Sequence, residues 1–185
     1  MANLKCEYPD DCMLNLEAKV IITRYIERQV KILDINFVVP ASQVGGKITS
    51  IKNIMVNVLA TQGVINSVEI FIEYQIIMTV AVGREFQVVT IDDIYEQVID
   101  SQDFDPPLSP QELRTEVQGT EIILSNWNFS YDILGNSEDE SNPCNLTSPI
   151  VGTCINLQVY VDITVLLDRV NDIIIFGELD PETEF

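Results

Sequence analysis

From Cys154 to Asp168 every odd position is apolar (Ile155, Leu157, Val159, Val161, Ile163, Val165, Leu167), while the even positions are mostly polar (Asn156, Gln158, Asp162, Thr164, Asp168). A two-residue period of that length has one geometric solution, an extended strand with one dry and one wet face. At roughly 3.3 Å per residue it spans on the order of 45 Å, far more than the usual strand, so it requires neighbours of similar length. The chain supplies them. Ser67 to Val82 carries Val68, Ile70, Ile72, Tyr74, Ile76, Met78, Val80 and Val82 on one face, and Glu121 to Ile133 carries Ile123, Trp127, Phe129, Tyr131 and Ile133 on one parity.

The remaining segments follow the same logic. In Leu16 to Val39 the apolar residues fall on even positions first (Val20, Ile22, Ile26) and odd ones later (Leu33, Ile35, Phe37, Val39), as a β-bulge near Arg28 to Lys31 produces. The helix formers in this segment compete with that reading, but the β-branched content favours strand. Ile48 to Ala60 is a further strand, Gly83-Arg84 a turn, Glu85 to Ile91 its hairpin partner, and Asp172 to Gly177 a closing strand. Asp92 to Gln111 holds Asp92, Asp93, Asp100, Asp103, Asp105, Pro106, Pro107 and Pro110, so it reads as a boundary. One short helix starts inside it, with Ser109 as N-cap, Pro110 at the first position and Glu112 at the third. The expectation is an all-β chain, a two-sheet β-sandwich or jelly-roll-like domain of about eight to ten long strands. Residues 1–15 form an extended cysteine-bearing arm, 16–178 the domain with its acidic, Pro-rich connection near 99–111, and 179–185 an acidic tail.

Composition narrows the function classes. The chain has 185 residues, a net charge of −19 and no histidine. Residues 1–84 hold eight Lys/Arg and eight Asp/Glu, whereas 85–185 hold two Arg (Arg114, Arg169) and 21 acidic residues. Such a surface repels nucleic acid and anionic lipid, and the segregation suggests a polar subunit whose neutral end meets the acidic end of the next copy. The lack of histidine removes the commonest general base and metal ligand, and no enzyme activity is expected. Gly46-Lys47 fails as a phosphate loop, since Ala41 and Ile48 stand where a glycine and a hydroxyl residue belong. Asp100, Asp103 and Asp105, like Glu138 to Glu140, read as solvated acid rather than a calcium site, and the Asn128 and Asn145 sequons carry little weight. No apolar run is long enough for a membrane helix, Ile70 to Val82 being interrupted by Glu73 and Gln75, so neither membrane insertion nor a cofactor is expected. The start lacks a signal-peptide pattern, which implies synthesis in a cytosol.

The four cysteines lie at Cys6-x5-Cys12 and Cys144-x9-Cys154, neither being zinc-knuckle spacing. Cys144 and Cys154 bracket a loop that they could close, and all four are crosslink candidates, with Cys6 or Cys12 of the arm reaching Cys144 or Cys154 of a neighbour. A cysteine-bearing arm, Met1 to Cys12, ahead of an all-β domain without a signal peptide resembles the organisation of fibre subunits on bacterial endospores, although their adjacent cysteine pair is absent here. The strands around Val30 to Val39 and Ser67 to Val82 also look similar to β-domains of spore-coat proteins. The resemblance implies a self-assembling structural subunit of an extracellular or spore-surface fibre or coat, partnered by copies of itself. The alternative is a monomeric or low-oligomer binding module, carbohydrate-binding or virion-decorating, with Trp127, Phe129 and Tyr131 as its platform. Their shared parity points them to the core instead.

Overall fold

The computed structural model describes residues 13–64, 68–137, 144 and 150–176, with backbone alone for 13–17 and 172–176. It contains two three-stranded antiparallel sheets. β1 (Met13–Pro40), β5 (Gly119–Asn136) and β6 (Gly152–Phe176) form the first, in the order β1-β6-β5. β2 (Ile48–Val64), β3 (Glu69–Val82) and β4 (Glu85–Val98) form the second, a meander in the order β2-β3-β4. The all-β, two-sheet expectation holds. The strands are fewer and longer than expected, six among the described residues, with β1 at 28 residues and β6 at 25. Where the pattern breaks, the chain bulges and continues. Asp172 to Phe176 accordingly prolongs β6 instead of forming a strand of its own.

β6 is the spine. Ile155, Leu157, Val159, Val161, Ile163, Val165 and Leu167 are all fully buried, as the alternation demands. Each is worth about 1.5–3 kcal/mol of burial free energy. Facing them across the sandwich are Ile70, Ile72, Tyr74, Ile76, Met78 and Val80 of β3, also fully buried.

Three register shifts in β1 decide which side chains join this core. They fall at Ile21/Thr23, Glu27/Val30 and Lys31/Leu33. The middle one matches the bulge expected near Arg28 to Lys31. The first reverses the expected faces between it and the middle one, so that Thr23 is buried and Tyr25 half-buried while Ile26 is exposed; Ile22, ahead of it, packs against the core as expected. In β5 a shift at Ser125/Asn128 does the same: Ile122 and Leu124 pack inward before it, Trp127 and Phe129 after it. Ile123, placed with the aromatics by parity, therefore faces solvent.

The 99–118 segment closes one side of the sandwich. β4 runs on through Asp92 and Asp93, so the boundary begins only after Val98. A single 3₁₀ turn (Ser101–Asp103) follows, and Ser109 caps a helix with a reciprocal capping box to Glu112, as the sequence signature required. With α1 (Ala41–Val44) in the loop after β1, this second helix is α2 (Pro110–Thr115). The segment buries Phe104, Leu108, Leu113 and Val117, and Asp105 exchanges two backbone hydrogen bonds with Arg24 on the open edge of β1. Residues 1–12 of the expected arm and the 179–185 tail lie outside the described residues, and 13–15 belong to β1.

Candidate functional site

Cys144 and Cys154 form a disulfide within the chain, their Cα atoms 5.7 Å apart, inside the usual range. Both are buried, and the Cys144 Sγ lies 3.4 Å from the Phe37 carbonyl of β1. The bond pins the loop between β5 and β6 to the start of β6. A crosslink from a neighbour to either sulfur would require this bond to open. Cys6 and Cys12 lie outside the described residues; among those described no cysteine is free.

The outer face of the β1-β6-β5 sheet carries a polar node that sequence reasoning missed. Gln29 of β1 and Asn126 of β5 both adopt positive φ, 53° and 52°, at bulges flanking the same point of β6. Asp162 stands between them. Its carboxylate accepts from the Asn126 side-chain amide at 2.8 Å, the Gln29 backbone N–H at 2.7 Å and the Gln29 side chain at 3.2 Å. The hydrogen bond from Asn126, then that from the Gln29 backbone, holds the carboxyl below the usual aspartate range. One carboxylate thus fixes two bulges across three strands. Asn tolerates the left-handed region and was a faint signal for this; Gln29 gave none.

A second polar cluster lines the seam between β1 and β4. The Gln97 amide donates to Glu27 at 2.8 Å and to the Tyr25 hydroxyl at 3.3 Å, Tyr95 donates to Gln97 at 3.3 Å, and Tyr25 donates to Glu27. Burial, reinforced by Glu27, raises the Tyr25 and Tyr95 hydroxyls above the ordinary phenol value, so both remain protonated donors. Tyr74, wholly buried, places its hydroxyl 3.0 Å from Asp93 and 3.2 Å from the Ile32 carbonyl. These groups bond one another and join the two sheets. The inward-pointing Glu27 also makes this stretch of the β1 edge a poor template for a foreign strand.

Elsewhere, an open depression at α1 and the β3–β4 turn brings Arg84, Glu85 and Gln87 beside Gln43 to Gly45. Asp100 accepts from the Gln102 N–H, an ordinary turn cap, and among the described residues no group of three or more metal-ligating side chains converges. Glu138 to Glu140 and Asn145 lie outside the described residues, while Asn128 sits in β5. Trp127 and Phe129 pack against the core, which takes two members from the expected aromatic platform; Tyr131 is 41% exposed and donates to the Ile51 carbonyl at 3.4 Å.

The exposed apolar side chains are more concentrated than the sequence pattern suggested. On the outer face of the β2-β3-β4 sheet three successive cross-strand rows are Ser50, Ala81 and Phe86; Asn53, Thr79 and Val88; and Met55, Ile77 and Thr90. None of the nine is charged, and Phe86, Val88 and Met55 are 65%, 61% and 52% exposed. Acid returns in the next row on that face, at Asp92, and continues with Glu73 and Glu96 in the two rows after it. Each sheet combines strands from both halves of the chain, so the charge asymmetry of the sequence is not divided between the two sheets.

The sheets are also unequal in length. β5 stops at Gly119 opposite Asp168, but β1 and β6 continue together from Lys19↔Val170 to Met13↔Phe176. The 99–118 segment follows only as far as Arg169, through Glu116 at 2.6 Å, and Val170, whose N–H donates to the Gln118 side chain at 2.9 Å. Beyond that, among the described residues, the two strands pair only with each other. Compared with protein-family models, with curated proteins and with solved structures, the chain matches none of them.

Proposed function

We propose that the chain is a structural subunit that assembles with copies of itself into a fibre or coat outside the cytosol. The observation that carries this reading is the acid-free set of rows around Phe86, Val88 and Met55, with Lys52 exposed at the bulge before Asn53, on the outside of a chain with net charge −19. Exposed, contiguous apolar surface is a contact site in most soluble proteins, and on so acidic a molecule a like partner can approach only where acid is absent. The Cys144–Cys154 disulfide supports an oxidising final location. The endospore-like organisation of the cysteine-bearing arm supports a spore or cell surface, with Cys6 and Cys12 as its crosslinks.

Sedimentation velocity and negative-stain microscopy on the oxidised and reduced protein test this. Assembly well beyond the 20.9 kDa subunit is expected, reduced by Val88→Glu, which puts a charge in the middle row. A monodisperse 20.9 kDa species at high concentration in both redox states would overturn the proposal.

A further inference from the structure

The ribbon made by the ends of β1 and β6 identifies a particular joint, an inference that rests on the self-assembly reading above. A two-stranded antiparallel ribbon is marginal in water by itself, whereas three or more strands hold together. Here eight consecutive pairs, Met13↔Phe176 to Val20↔Arg169, run past the end of β5 with no third described strand. The edge of β6 that β5 leaves open is a row of backbone donors and acceptors with the sequence Val-Asn-Asp-Ile-Ile-Ile-Phe from Val170. Long, open, β-branched edges accept strands.

The register tells which groups face outward. The Val170 N–H points away from β1, since it reaches Gln118 on the β5 side, and the Asp168 carbonyl likewise accepts from the Gln118 N–H. From Val170 to Phe176 the pairing with β1 has no shift, so alternation carries the same orientation to Asp172, Ile174 and Phe176. We propose that residues 170–176 of β6 pair antiparallel with the same residues of a second copy, Val170 opposite Phe176 and Asp172 opposite Ile174, about a twofold axis at Ile173.

This register bonds every outward-facing residue of one strand to an outward-facing residue of the other. The described part of the incoming strand ends opposite Val170, two residues beyond the Asp168↔Gly119 pair, so it abuts β5 without overlapping it. Gln118 holds the Val170 N–H until the partner arrives. The result is a four-stranded sheet, β1-β6 of one copy joined to β6-β1 of the other, with a self-complementary contact as twofold symmetry requires. Because each copy carries −19, association should strengthen with added salt. A joint of this kind alone gives a dimer. Together with a second contact at the Phe86 face it propagates.

Two variants of the full chain test the register. Ile174→Pro deletes one outward N–H and leaves the ladder to β1 intact, so the sedimenting mass should fall while far-UV circular dichroism and melting temperature stay near those of the parent. In a Cys6→Ser/Cys12→Ser background, Ile173→Cys places the new sulfur opposite its own copy at a non-hydrogen-bonded pair. The Cα separation there is about 4.5 Å, within disulfide reach. Mild oxidation should give a covalent dimer, and Val170→Cys, which faces Phe176 instead, should give far less. If the parent assembles but Ile174→Pro leaves its mass unchanged and Ile173→Cys crosslinks no faster than Val170→Cys, the joint is wrong and self-assembly stands. A parent that stays monomeric in high salt overturns both.

Discussion

Replacing Tyr74 by phenylalanine removes one oxygen from the centre of the molecule. That oxygen has no solvent exposure and lies 3.0 Å from Asp93 on its own sheet and 3.2 Å from the Ile32 carbonyl on the other. Ile32 is the residue that the Lys31/Leu33 shift leaves without a Cα partner in the β1–β6 ladder. The phenol has one proton for two acceptors, and what the variant loses is one hydrogen bond with a charged partner. Such bonds are worth roughly 1.5–3 kcal/mol, and a buried acceptor left unpaired costs about as much. A loss of about 2 kcal/mol lowers the melting temperature of a domain this size by roughly 4–8 °C. The single tryptophan, Trp127, packs against the core and reports unfolding directly. In a urea titration followed by its fluorescence the midpoint should fall at constant slope. A melting temperature within about 1 °C of the parent would refute the reasoning, because the hydroxyl would then be carrying no net bond.

Other perturbations probe other parts of the frame. Asp162 stays ionised in the folded state below the pH at which an unfolded aspartate takes up its proton, so it stabilises the fold above the ordinary aspartate range and loses that contribution as pH falls through its depressed folded value. Melting curves of the parent and Asp162→Asn should therefore converge as pH drops into that acid window, whereas a constant gap would dissociate the bulges from the charge. A Cβ at Gly152 would lie 2.1 Å from the Val39 carbonyl oxygen, and Gly152→Ala should cost about 1–3 kcal/mol by forcing the backbones apart, read as a lower urea midpoint. Opening the Cys144–Cys154 bond frees a loop with a sequence separation of 10, which chain entropy values at about 2–3 kcal/mol. Dithiothreitol should lower the melting temperature accordingly, and non-reducing peptide mapping should recover the two cysteines in one linked fragment.

The fold was legible wherever burial alone dictates pattern. β6 and β3 each bury one unbroken face, and the period names it residue by residue. The helix at Ser109 was legible because its capping box is local chemistry. What escaped was the consequence of bulges. Each one moves the following side chains to the opposite face, so a single unseen shift at Ile21/Thr23 exchanged Thr23 and Ile26, and another at Ser125/Asn128 separated Ile123 from Trp127. Acids were over-read as strand breakers. Asp92 accepts from Gln75 at 2.8 Å and Asp93 from Tyr74, cross-strand bonds that carry β4 through residues of poor strand propensity. The Asp162 node was invisible for a different reason: its partners come from positions 29 and 126, and no local pattern links them.

The position of β6 between β1 and β5 also governs the order of events on the ribosome. The β2-β3-β4 meander contains only short connections and can form as soon as Val98 has emerged. The other sheet cannot begin, since its central strand is made after both of its flanking ones, and Met13 finds its partner only when Phe176 is available. Pairings of such sequence separation are slow to close, and β1 waits through most of synthesis with its apolar face uncovered, while β5 waits only for β6 to follow it. During that interval the nascent chain is most exposed to premature contact with its neighbours on a polysome. Correct closure of this sheet therefore depends on keeping copies apart until the last strand arrives.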